Sequence, residues 1–93
     1  MPYFVLEYSF VDDYLERRGA FRDEHLGLAK AAYDRGEIVL AGALADPADR
    51  GLLVWKVEDK DVAERFAEAD PYVLNGLVTS WSVRPWSVVL GDG

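Results

Sequence analysis

The chain has 93 residues, enough for one domain with one core, and its 10 basic and 17 acidic residues give a net charge of −7. That balance argues against nucleic acid and anionic membrane surfaces as partners, because both require a basic patch. The absence of cysteine excludes disulfides and thiol catalysis and fits a cytosolic protein.

The first third of the chain predicts a strand and then a helix. Residues 3–10 alternate in polarity, and one face carries the large apolar side chains Phe4, Leu6, Tyr8 and Phe10. Asp12-Asp13 can cap a helix or turn, and Gly19 interrupts the helical pattern. The continuous helix is therefore expected over residues 20–34, with Gly36 as its stop. Its inward stripe comprises Phe21, His25, Leu28, Ala29 and Ala32.

The middle of the chain predicts two strands joined by a turn. Residues 38–44 form a short apolar run, in which Gly42 suggests a bulge or a close backbone approach. Residues 45–51 are rich in Asp, Pro and Gly, which is typical of a turn. Residues 52–57 then form the third strand.

A second helix and a final strand complete the pattern. Asp59 can cap a helix over residues 60–69, which Pro71 ends. Its inward side chains are expected to be Val62, Ala63, Phe66 and Ala67. Residues 78–89 form the last extended segment, bent at Pro85.

The element order βαββαβ predicts one domain over residues 1–93, of class α+β with a ferredoxin-like fold. Such a fold has an antiparallel sheet with two helices on one face, so its other face needs cover. With 51% hydrophobic residues, the chain has more apolar material than one small core needs. We therefore expect a homodimer packed face to face, the alternative being an aromatic-rich monomer core.

Two residues attract attention as candidates for proton chemistry. His25 is the only histidine, so neutral-pH proton transfer falls to it or to a perturbed carboxylate, tyrosine or lysine. Asp70 ends the second helix, where the helix dipole opposes a carboxylate by roughly 0.3–1 kcal/mol, and Pro71 favours extended backbone there. Together they would form an oriented acid–base pair. The alternative is that Asp70 caps a turn and His25 is an ordinary core-edge histidine.

Two further residues are candidates for substrate binding. Arg22 lies three positions before His25 and would project from nearly the same helix face, where its guanidinium suits a carboxylate or phenolate. The alternative for Arg22 is a surface ion pair with Glu16, Asp23 or Glu24. Tyr72 can donate a hydrogen bond in the same pocket, or it is a packed turn tyrosine.

The remaining motifs are weak. Arg84 can approach the site or face solvent, and the tryptophans are expected in the core and interface: Trp55, Trp81 and Trp86. The chain has no metal-ligand spacing, no phosphate-binding glycine loop and no haem or flavin motif, so no metal and no cofactor are expected. The first residues, Met1-Pro2-Tyr3, lack a basic region and a long apolar run, so neither a signal peptide nor a membrane span is expected.

Several short motifs, in order along nearly the whole chain, resemble the YciI-like (YCII-related) proteins. They are Arg22-x-x-His25, Gly36, Ala41-Gly42-Ala43-Leu44, Asp70-Pro71-Tyr72, Gly76 and Arg84-Pro85-Trp86. The resemblance implies a homodimeric α+β barrel with a His-Asp pair in each subunit, at His25 and Asp70. Ala43 departs from the family, in which proline often follows the glycine.

The family resemblance leaves three hypotheses for function. The first is a cofactor-independent lyase, isomerase or dehydrochlorinase in which His25 and Asp70 transfer a proton on a small cyclic or phenolic compound. The sole histidine, the unusual aspartate and the resemblance favour it, since a branch that resembles the family dehydrochlorinates chlorinated hydroxyhydroquinones. The second is a non-catalytic module that binds a small metabolite in the same pocket. The third is a structural partner for another protein.

Overall fold

The computed structural model describes residues 1–91, so the last two residues of the predicted domain lie outside it. The strands are β1 (Tyr3–Phe10), β2 (Ile38–Ala43), β3 (Arg50–Lys56) and β4 (Val78–Trp86). The helices are α1 (Tyr14–Arg17), α2 (Arg22–Asp34), α3 (Asp61–Ala69) and α4 (Pro71–Leu74), with a 3₁₀ turn at Arg18–Ala20.

The four strands form one antiparallel sheet in the order β2-β3-β1-β4. The inward residues of β1 pack with residues of β3 and with small residues of α2 and α3, which lie on the same face of the sheet. The fully buried members of this layer include Leu6, Tyr8 and Trp55 from the strands and Ala32, Ala63 and Ala67 from the helices. The prediction of a ferredoxin-like α+β fold is confirmed.

The first helical region differs from the prediction. The 3₁₀ turn holds Gly19, and Phe21 then leaves helical geometry, with φ −122° and ψ −2°, so that α2 begins at Arg22 and not at residue 20. Leu28, expected on the buried stripe, is 37% exposed. The small residues Ala29 and Ala32 instead bring α2 close to the sheet.

Two strand predictions are also wrong in detail. Gly42 has neither a bulge nor a close neighbour, since a Cβ there would meet nothing within 4 Å. The irregularity in β2 lies between Ile38 and Leu40. β4 ends at Trp86, and Pro85 pairs with Phe4 without a shift in register. A proline is tolerated there because β4 is an edge strand.

The second face of the sheet has no helix over it among residues 1–91. Its outward residues form a shallow trough of about 680 Å³ that is largely apolar. They include Val5, Leu40, Leu52, Val54 and Trp86.

Candidate functional site

The junction between α3 and α4 positions Asp70. This residue is the C-cap of α3 and the N-cap of α4, and its backbone is extended, with φ −71° and ψ 125°, as expected before Pro71. Its Oδ1 accepts a hydrogen bond from the backbone N–H of Tyr72 at 3.0 Å. The expected penalty at a helix C-terminus is therefore opposed by a favourable N-cap, because Pro71 starts a new helix immediately.

His25 meets Asp70 directly. Nδ1 of His25 lies 2.8 Å from Oδ2 of Asp70, although the residues are 45 positions apart. The hydroxyl of Tyr8 donates to the same Oδ2 at 2.8 Å. Asp70 is fully buried, and these groups together with the Tyr72 N–H solvate its carboxylate in place of water.

This arrangement fixes the tautomer of the neutral imidazole. An ionised carboxylate only accepts hydrogen bonds, so Nδ1 of His25 must carry the proton and Nε2 holds the lone pair. Tyr72 orients the imidazole, because its ring stacks on the His25 ring. The two ring centroids lie 4.0 Å apart, and the ring planes differ by 9°. Phe66 of α3 packs edge-on against the same ring, 6.3 Å away.

The two tyrosines nearest the pair keep their protons. Burial raises the pKa of Tyr8 far above its ordinary value, and the charge and hydrogen bond of Asp70 raise it further. Burial, followed by the neighbouring Tyr14, also raises the pKa of Tyr72. The positive charges of Arg18 and Arg22 act on Tyr72 in the opposite direction, so both guanidiniums influence the site.

His25 lines a pocket of about 130 Å³ between the sheet and the α1–α2 region. Its walls are mostly aromatic or small, with Leu26 and Leu53 also present. The rings of Phe10 and Tyr14 stack there with their centroids 3.7 Å apart. Arg18 and Arg22 also line it, and no Asp or Glu does. Within residues 1–91 neither arginine forms an ion pair, so the surface pair considered for Arg22 is absent. The pocket is therefore locally cationic in an acidic protein.

Other candidates lie elsewhere. Arg84 lines the trough on the opposite face of the sheet and does not reach His25, because β4 pairs it with the outward Val5. Trp55 is buried in the core, Trp81 packs against that core, and Trp86 lines the trough.

No cluster of three metal-ligating side chains occurs in residues 1–91. Within the same range, no helix combines the length and apolarity needed to cross a bilayer.

Two residues of the site were missed by sequence reasoning. Tyr8 was assigned only to the apolar face of β1, although a buried phenol requires a hydrogen-bond partner and that requirement was a usable signal. Arg18 lies four positions before Arg22, a spacing that would share a helix face, but Gly19 made helix continuity uncertain at that point.

The family model of the YCII-related domain matches residues 1–87. The chain belongs to this family. Protein YciI from Escherichia coli O6:H1 is 31% identical over 86 residues, covering 83% of this chain and 88% of the relative. Protein YciI from Shigella flexneri matches with the same values.

Solved structures share the fold of this YCII-domain chain. The 5-chloro-2-hydroxyhydroquinone dehydrochlorinase TftG from Burkholderia phenoliruptrix, in complex with 2,5-dihydroxybenzoquinone, superposes with a TM-score of 0.76 at 19% identity, covering 91% of this chain and 93% of TftG. A NIPSNAP-family protein of unknown function from Agrobacterium tumefaciens superposes with a TM-score of 0.58 at 20% identity. The match covers 92% of this chain and 86% of that protein. At these identities the likeness establishes the fold, and function is argued from the site.

Proposed function

We propose that this YCII-domain protein is an enzyme that transfers a proton on a small cyclic or phenolic compound, as a lyase, isomerase or dehydrochlorinase does. His25 is the general acid–base, and Asp70 orients it. The observation that carries the proposal is the fully buried carboxylate of Asp70, 2.8 Å from Nδ1 of His25. A buried charge is retained only with good partners, and here one partner is the sole histidine.

The proposed step begins with neutral His25. Nε2 takes a proton from a carbon or oxygen of the substrate, and the electron pair left behind forms a new π bond. In an isomerase the imidazolium returns the proton to another atom of the same molecule. In a dehydrochlorinase chloride leaves with its bonding electrons, and the imidazolium later releases the proton to water. Asp70 stabilises the imidazolium throughout, so both directions of transfer are assisted.

The size and charge of the pocket support the proposed substrate class. An apolar cavity of about 150 Å³ accommodates benzene, so a pocket of about 130 Å³ with an open side suits a compound with one ring. Arg18 and Arg22 would hold an anionic oxygen as the proton leaves, since a guanidinium recognises carboxylates and phenolates. The quinone bound to TftG, a protein with the same fold, is a single-ring compound and supports the class by analogy.

The activity test uses single-ring hydroxyquinols, chlorinated hydroxyquinols and enol lactones as candidate substrates. His25→Gln is expected to lower kcat by about 10²–10⁴-fold, the usual contribution of a general acid–base. The matched control is Asp34→Asn, which changes an exposed carboxylate on the same helix and should leave kcat unchanged. Equal turnover by wild type and His25→Gln would refute the proposal.

Calorimetry with the same compounds distinguishes the second candidate. Tight binding that Arg22→Ala abolishes, together with no turnover of any bound compound, would identify a non-catalytic metabolite-binding module. Binding followed by turnover identifies the enzyme.

The same proposal includes a homodimer, because the sheet face opposite the site is apolar and has no helix over it among residues 1–91. A second copy would bury this face. The pocket that contains His25 lies on the helical face, so each subunit of such a dimer keeps its own site.

A further inference from the structure

Tyr8 contacts the acid–base pair from within the core. Its hydroxyl donates to Oδ2 of Asp70 at 2.8 Å, and Nδ1 of His25 lies 2.8 Å from the same oxygen. We propose that Tyr8 is a positioning residue that shares this oxygen with His25, weakens the hold of Asp70 on the imidazolium, and so lowers the pH at which His25 changes charge. The functional consequence of this role rests on the proposed function above.

The hydroxyl of Tyr8 is not required for packing. Its neighbours on the inward face of β1 are hydrocarbon side chains, namely Phe4, Leu6 and Phe10. Phenylalanine would fill the same space with no polar group to satisfy. Tyr8 is 1% exposed, and a phenol buried to that degree needs a hydrogen-bond partner, which Asp70 provides.

The hydroxyl of Tyr8 acts on His25 through the negative charge of Asp70. Each donor to a carboxylate draws negative charge away from the oxygen that receives it, so Oδ2 attracts a protonated imidazole less strongly when Tyr8 is also bound. The backbone N–H of Tyr72 acts on the other oxygen, Oδ1. Burial raises the pKa of Tyr8, which keeps this donor protonated at every pH at which a histidine titrates.

For catalysis, the hydroxyl of Tyr8 would determine the pH above which His25 is neutral and can act as a base. Without the hydroxyl of Tyr8, His25 would be the only donor to Oδ2, and the imidazolium would persist to higher pH. With it, neutral His25 is present at lower pH and can accept a substrate proton there. The acidic limb of the pH–rate profile should therefore move together with the titration of His25.

Among residues 1–91 the hydroxyl of Tyr8 bonds to Asp70, and the other groups around His25 come from separate elements. α2 and the 3₁₀ turn provide Arg22 and Arg18, and α1 provides Tyr14. The α3–α4 junction provides Asp70, α4 provides Tyr72, and α3 provides the apolar ring of Phe66. A shift on Tyr8→Phe is therefore attributable to the hydrogen bond on Oδ2.

The decisive experiment is an NMR pH titration of the His25 ring in the full chain, where a single histidine makes assignment unambiguous. In Tyr8→Phe the midpoint is expected to rise by roughly 0.5 pH unit, about a threefold gain in proton affinity. The control is Tyr33→Phe, which removes a hydroxyl from an exposed position of α2 and should leave the midpoint in place. A midpoint that does not move, or that falls, overturns the proposal.

A second replacement tests the same idea with opposite sign. Incorporation of 3-fluorotyrosine at position 8 makes the phenol a stronger donor, so the His25 midpoint is expected to fall. This variant retains the ring and the hydrogen bond, and it decides the question if Tyr8→Phe does not fold. A rise on fluorination would contradict the proposal.

Coupling through Asp70 is tested by a double-mutant cycle. In an Asp70→Asn background the shift caused by Tyr8→Phe should vanish, and a shift that persists there would mean that Tyr8 acts by another route. These titrations need no substrate. Failure to find turnover would therefore refute the enzyme and leave the Tyr8 result standing, whereas an unmoved midpoint with normal turnover would refute only the role of Tyr8.

Discussion

At the scale of the single residue, Asp70 is the one charged or polar residue that is buried within residues 1–91. Asp70→Ala leaves the hydroxyl of Tyr8 and the N–H of Tyr72 without their acceptor inside the core. A buried donor that is left without its acceptor costs about 1–3 kcal/mol, and here at least two buried donors lose theirs. We expect a loss of that order in the free energy of unfolding, measured by urea denaturation at pH 7.

The matched control for Asp70 is Asp34, whose carboxylate pairs with Lys30 on the surface of α2 at 2.8 Å. Exposed pairs of this kind contribute about 0–1 kcal/mol. Asp34→Ala should therefore change the unfolding free energy by less than about 1 kcal/mol. Similar losses in both variants would mean that the buried network around Asp70 adds nothing to stability.

The raised pKa of Tyr8 predicts a loss of stability at alkaline pH. In the unfolded chain a tyrosine titrates near pH 10, whereas burial and Asp70 keep Tyr8 protonated in the native state at that pH. Above about pH 10 the unfolded state binds fewer protons than the native state, so the unfolding free energy falls as pH rises. Below pH 10 this contribution is present in full.

Urea denaturation between pH 8 and pH 11 checks this dependence. Tyr8→Phe should show a shallower decline than wild type, because one of the groups that titrates only on unfolding has been removed. Tyr33→Phe removes an exposed tyrosine and should keep the wild-type slope. Parallel declines for all three proteins would contradict the assignment.

The residues of the site were predictable from the sequence to different degrees. His25 and Asp70 were singled out as candidates because one is unique and the other precedes a proline, but only the fold brings together residues 45 positions apart. Tyr8 was not found, because an inward tyrosine indicates only that its hydroxyl needs a hydrogen-bond partner and does not identify that partner as Asp70. Burial and the hydroxyl's partner are properties of the folded chain.

At the scale of the element, two glycines in adjacent strands give opposite predictions. A Cβ on Gly51 of β3 would lie 2.8 Å from the ring of Phe10, whereas one on Gly42 of β2 would meet nothing within 4 Å. Phe10 is itself stacked on Tyr14 at 3.7 Å and cannot move freely. Gly51→Ala should therefore be destabilised by about 1–3 kcal/mol.

Gly42→Ala should be neutral or more stable by up to about 1 kcal/mol, because alanine loses less backbone entropy in a strand. Urea denaturation gives both values, and near-UV circular dichroism should change only in Gly51→Ala, where the aromatic stack is displaced. If both variants gain stability, strand propensity and not contact with Phe10 governs these positions.

The elements themselves were largely predictable, and the errors have local causes. Alternation and helical periodicity gave the four strands and the two long helices. The segment between β1 and α2 was not predicted in detail, since α1 and the 3₁₀ turn are each four residues or fewer and too short to show a period. α4 was missed because Pro71 signals the end of one helix and equally the first position of another.

At the scale of the whole molecule, the unpaired sheet face predicts a homodimer. Leu40 is 70% exposed and lines the trough on that face. A leucine so exposed adds little to the fold of the isolated chain but would lie against a partner that covers the sheet. A charge at this position should therefore weaken association and leave the subunit folded.

Light scattering at micromolar concentration measures this directly. Wild type is expected at twice the chain mass of 10.4 kDa, and Leu40→Glu is expected to shift toward one chain with an unchanged far-UV circular dichroism spectrum. The control is Leu74→Glu, at a position that is 68% exposed on α4 and outside the trough, which should remain dimeric. A wild-type mass of one chain, or loss of the dimer in Leu74→Glu alone, would place any self-association away from the sheet, and the apolar face would then need a different partner.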